Sequence, residues 1–115
     1  KLVTELSPIV TEEWGHFRLV LAELQKRDLK LGKQRKDEYA NALISFQQKG
    51  GDAEGRMLDQ LLTMALIEAR SCERFRLLWK EIGDEELSKF YYELMVSEAG
   101  HYKNFLARSA IFIPF

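Results

Sequence analysis

The 115-residue sequence predicts an all-α fold, an antiparallel helix bundle, on three observations. Leu, Glu, Lys, Arg and Ala dominate while Gly and Pro number only 7 and 2, and the dominant types are the good helix formers. Chain-breaking residues gather in three places, "KLGKQ" (30–34), "KGGDAEG" (49–55) and "IGD" (82–84), which leaves segments far longer than a strand. Within those segments apolar residues recur in alternating steps of four and three, the spacing of a stripe that faces partner helices.

The first helix is expected over about 8–27. Pro8 would occupy its first position with Ser7 as N-cap, a start nearer Leu2 being the alternative. Its stripe runs Leu6, Ile9, Glu13, His16, Val20. A short helix follows near 36–48, after the break. The second long helix, about 57–82, carries Leu61, Ala65, Glu68, Cys72, Phe75 and Trp79 at the same steps, so one carboxylate interrupts an apolar stripe. The third, about 84–107, carries Leu87, Tyr91, Leu94, Glu98, His101 and Phe105. Three helices thus each bring acid or imidazole to the middle of their buried face. The apolar tail "AIFIPF" (110–115) suits packing over the bundle or a partner.

Composition narrows the class. A chain that is 46% hydrophobic and 30% charged fits one domain with a modest core. No apolar run approaches the roughly 20 residues of a spanning helix, and no basic-then-apolar leader is present. The single cysteine, Cys72, can form no internal disulfide, in keeping with a reducing compartment and a cytoplasmic address. A net charge of −1 says little about partners. One local cluster is strongly basic: Lys26, Arg27, Lys30, Lys33, Arg35 and Lys36 in "KRDLKLGKQRK". It is read either as a solvated, helix-ending turn or as a phosphate-attracting element.

The chain has two histidines, and each follows a glutamate by three residues: Glu13 with His16 in "EEWGHF", Glu98 with His101 in "SEAGHY". That spacing sets a carboxylate and an imidazole on one helical face. Burying ionised carboxylates costs several kcal/mol per ion unless something neutralises them, and the stripes contain no Lys or Arg in these stretches. Carboxylate-bridged bundles solve the problem with a Glu from each of two helices and a Glu-x-x-His from each of the other two. Glu13, His16, Glu68, Glu98 and His101 are therefore the candidate metal ligands. An oxygen-rich set with imidazole favours iron over structural zinc. Cys72, one turn beyond Glu68, is read as a small core hydrophobe. No fourth carboxylate is evident: Glu38 and Glu54 lie in short polar segments, and a preceding helix bearing that glutamate is expected outside residues 1–115, so the domain 1–115 is expected to be N-terminally incomplete.

"IEARSCERF" (67–75), "FYYELMVSEAGHYKNFL" (90–106) and "EEWGHF" (12–17) resemble the bacterial tRNA 2-methylthio-isopentenyl-adenosine hydroxylases, the MiaE-like family, over roughly 5–106. The resemblance implies a ferritin-like bundle, lacking its first helix within these residues. It also implies two non-haem iron ions, dioxygen as co-substrate, and hydroxylation of the isopentenyl group. Glu13 with His16, Glu98 with His101, and Glu68 match the family's ligands. The partners implied are the tRNA anticodon stem-loop and an unknown electron donor, with the basic cluster as a candidate tRNA contact and no further catalytic residue beyond the metal centre. Two other readings compete: a ferritin- or rubrerythrin-like iron oxidase or storage bundle, and a metal-free helical interaction module. Arg70, Glu73 and Arg74 could support Glu68, although charge pairs on a helix surface are the commoner use of such residues.

Overall fold

A computed structural model of the chain describes residues 2–47 and 49–112. In order they form α1 (Leu2–Lys26), α2 (Glu38–Ser45), α3 (Ala53–Glu81), α4 (Glu85–Ser109) and a single 3-10 turn (Ala110–Phe112). No strand occurs among the described residues. They divide into two compact units, 1–35, built on α1, and 36–115, built on α2 to α4.

The first unit takes the earlier of the two expected starts. Helix α1 begins at Leu2 and continues through Pro8. Proline cannot donate to the carbonyl four residues earlier, but that residue, Thr4, is exposed, so water can satisfy its oxygen. The stripe is buried at Ile9 and half-buried at Leu6, Glu13 and His16, whereas Val20, expected inside, is exposed. The helix ends at Lys26, and two residues on Asp28 takes φ 57°, which breaks the right-handed spiral.

In the second unit aspartates start every helix. Asp37 accepts from the Ala40 N–H at 3.0 Å, Asp52 from Gly55 at 2.7 Å and Asp84 from Leu87 at 2.9 Å, each satisfying one of the donors a helix start leaves unpaired. Asp52 explains why α3 starts at Ala53 and absorbs Gly55, which the sequence placed in a break. Between α3 and α4 the chain reverses in three residues. The Ile82 N–H bonds to the Leu78 carbonyl at 3.0 Å, Gly83 takes φ 72°, and Asp84 opens the next helix, so a left-handed glycine ends one helix directly before the next begins.

So short a connection makes α3 and α4 antiparallel neighbours, and their contacts dominate the unit. The Ser88 hydroxyl donates to the Trp79 carbonyl at 2.9 Å near the turn. Further along, Phe75 stacks on Tyr91 with ring centroids 6.1 Å apart, and the Cys72 thiol donates to the Met95 carbonyl at 3.6 Å. Leu61, Ala65, Leu94 and Phe105 form the buried apolar core, each large side chain contributing about 1.5–3 kcal/mol by leaving water. Helix α2 rests on α3: Gln47 donates to the Thr63 hydroxyl at 2.8 Å. The 3-10 turn touches both α3 and α4; residues 113–115 of the apolar tail lie outside the described residues.

Candidate metal centre

Glu68 projects from the middle of α3, and Glu98 and His101 from the facing stretch of α4. Steps of three and four residues put all three on the apolar seam, and each is buried, with 6%, 5% and 4% of its surface exposed. His101 Nδ1 lies 3.6 Å from Glu68 Oε2 and 3.8 Å from Glu98 Oε2. Both separations exceed hydrogen-bond length. One donor atom from each of the three residues falls within 4.8 Å of the others. Donors sharing one ion at the roughly 2.0–2.2 Å of nitrogen and carboxylate ligands lie about 3–4 Å apart, so the trio fits a cation better than it fits mutual hydrogen bonds. Two carboxylates and an imidazole also supply the charge that a divalent ion of the iron or manganese type requires.

In the other unit, α1 holds Glu13 and His16 one turn apart, with His16 Nδ1 3.8 Å from Glu13 Oε1. The imidazole is the better covered, 19% exposed against 43% for the carboxylate. The arrangement repeats that of Glu98 and His101 on α4. Glu54 falls in the first turn of α3 and Glu38 in the first turn of α2. Both sit where carboxylates favour the helix dipole, and both are exposed.

Cys72 stays outside this group of donors. Burial pushes its thiol above the ordinary range, against a smaller lowering by Arg76, so the sulfur remains a protonated donor to the Met95 carbonyl. The sequence carries no signal for that contact, because its acceptor is a backbone oxygen. Arg70, Glu73 and Arg74 do not turn toward Glu68. They are exposed and line an open groove with Tyr39, Leu66, Ala69 and Leu77. Tyr91 packs with Phe75 and Phe90, while Tyr92, paired with Trp79 at 4.9 Å, is 43% exposed. All six residues of the basic cluster are exposed: Lys26 ends α1, Arg27, Lys30, Lys33 and Arg35 lie in the irregular stretch that follows, and Lys36 directly precedes the α2 cap.

A helical bundle carrying buried carboxylates and a histidine at mid-length belongs to the ferritin-like fold class. A solved structure agrees. "Protein 43 with aldehyde deformylating oxygenase activity from Synechococcus" superposes with a TM-score of 0.91 at 36% identity, over 99% of this chain and 56% of that one. Within the class the chain belongs to the family described as "tRNA-(MS[2]IO[6]A)-hydroxylase (MiaE)", whose model matches residues 1–112. Two relatives are each named tRNA 2-(methylsulfanyl)-N(6)-isopentenyladenosine(37) hydroxylase. The one from Pseudomonas putida is 36% identical over 105 residues, covering 91% of this chain and 50% of the relative. That from Salmonella typhimurium is 35% identical over 107 residues, covering 93% and 38%. The chain therefore spans half or less of the length of these relatives.

Proposed function

We propose that the full-length protein is a non-haem di-iron monooxygenase that hydroxylates the isopentenyl side chain of 2-methylthio-isopentenyl-adenosine in the anticodon stem-loop of tRNA. The observation that carries this reading is the buried Glu68–Glu98–His101 group in a chain of the MiaE family whose relatives bear that activity's name. Its setting would be the cytoplasm, where tRNA is found; none of the described helices is long and apolar enough to cross a membrane.

The proposed iron ligands are Glu13, His16, Glu68, Glu98 and His101. Glu68, Glu98 and His101 are supported by their geometry, and Glu13 with His16 by the repeated motif. Bound iron would supply the activation of dioxygen, with two electrons from a separate donor, that side chains cannot provide. The chain's own residues have simpler duties. Glu68 and Glu98 would hold the metal through carboxylate oxygens, and His101 through an imidazole nitrogen, its Nδ1 lying nearest both carboxylates. Leu94, Ala65 and Phe105 keep water from the same seam, which strengthens every charge interaction within it. The basic residues Lys26, Arg27, Lys30, Lys33, Arg35 and Lys36 attract the tRNA backbone.

Nucleoside analysis of tRNA from cells with and without the gene tests the reading. The hydroxylated base is expected only with the gene, and iron-loaded protein given oxygen and a reductant should restore it to tRNA from the deleted strain. Hydroxylated base in equal amounts in both strains, or turnover of an aliphatic aldehyde with no change in tRNA nucleosides, would overturn it.

A further inference from the structure

On the face of α3 turned away from Glu68 lies the groove of about 380 Å³ already noted, lined by Leu66, Ala69 and Leu77 together with Tyr39, Arg70, Glu73 and Arg74. It lies wholly within the second unit. The Arg70 guanidinium sits over the Tyr39 ring, 4.1 Å from its centroid, so α2 is the element that holds this cation in place. A guanidinium held against an aromatic face keeps its N–H fork at the rim, free to meet an anion in the plane. Neither Arg70 nor Arg74 makes an ion pair or hydrogen bond among the described residues, although Glu73 stands between them in sequence. Lys36, exposed and also without an ion pair among the described residues, directly precedes the cap of α2.

We infer that this groove is an RNA-docking site that takes unpaired nucleotides next to the modified base, a proposal that rests on the function above and adds a surface to it. Two arginines one turn apart, which outnumber the single carboxylate of the groove, Glu73, and are not paired with it, suit backbone phosphates. The apolar lining and the Tyr39–Arg70 stack suit the face of an extruded base, since loop RNA is bound by stacking on aromatic rings and guanidinium planes. A helix is about 10 Å across, so nucleotides docked here lie within a short stretch of chain from a base presented to the opposite seam. An acidic peptide would satisfy the arginines and leave the stacking surface without a purpose, so RNA is the better occupant.

Binding of a fluorescent RNA hairpin with an unpaired loop to the full-length protein, followed against salt concentration, tests the proposal. Arg70→Gln with Arg74→Gln should lower the slope of log affinity against log salt by about 1.4, two contacts at ~0.7 each on single-stranded RNA. Tyr39→Ala should weaken binding about tenfold, the loss of one stacked base. Lys103→Gln, on the exposed side of α4, should change neither, and iron content and helicity should stay constant throughout. Wild-type slope and affinity in the Tyr39 and double arginine variants would overturn the groove while leaving the hydroxylase reading intact. If the wild-type protein bound no RNA, both would fall.

Discussion

At His101 one imidazole stands beside two buried carboxylates, and changing His101 or Glu98 should have distinct effects. His101→Ala should lower bound iron severalfold and leave the fold standing, as measured by metal analysis beside circular dichroism. Glu98→Gln should do something less obvious. In metal-free protein it replaces one of two adjacent buried carboxyl groups by a neutral amide at nearly constant volume, lowering the cost of burial, so the melting temperature should rise by several degrees, for a gain of about 1 kcal/mol. With iron present the order should reverse. A melting temperature of the variant below wild type in both states would contradict the charge argument. Cys72 offers a pH test. Its raised folded pKa means the native thiol keeps a proton that the unfolded chain releases. Stability should therefore be full below about pH 9 and fall as pH climbs beyond it, and Cys72→Ser should flatten the fall. The burial of Glu68, Glu98 and His101 was legible in the sequence because a charged side chain inside an apolar stripe has no cheap structural explanation. The Tyr39–Arg70 contact was not legible. Thirty-one positions separate the two residues, and nothing local to either announces the other.

Among the elements, boundaries were legible where side chains cap and illegible where they merely permit. Gly83 marked the α3–α4 turn because its φ of 72° is a conformation that other residues adopt only with strain. Nothing lies within 4 Å of where its Cβ would be, so Gly83→Ala should cost about 1 kcal/mol from backbone strain alone, read by denaturant titration. Asp84→Ala should cost a similar amount by removing the acceptor for the Leu87 N–H. Pro8 left two starts open, and the structure takes the one nearer Leu2. A proline can start a helix or be carried inside one, and the choice depends on whether water reaches the carbonyl it abandons, which the sequence does not state. Gly55 did mislead, because the Asp52 cap outweighs the modest intrinsic penalty of a helical glycine.

On the scale of the whole molecule, the all-α class was legible from periodicity, whereas the division into units 1–35 and 36–115 was not. Periodicity reports which face of each helix is apolar and nothing of how tightly segments cohere. Chelation should lower the melting temperature of iron-loaded protein, since a ligand bound only to the folded form stabilises it by about 4 kcal/mol at a thousandfold excess over its dissociation constant; an unchanged melting curve would argue for a bundle that needs no metal. The three-residue turn between α3 and α4 has a bearing on time as well as on balance. Helices joined so closely meet through contacts near in sequence, the kind that form fastest. Glu68, Glu98 and His101 then come together as one early folding event, the zipping of a single hairpin. An ion caught by those three residues would clamp the hairpin as soon as it closes, so that its stabilisation is already present in the transition state. Iron should accordingly quicken folding more than it slows unfolding.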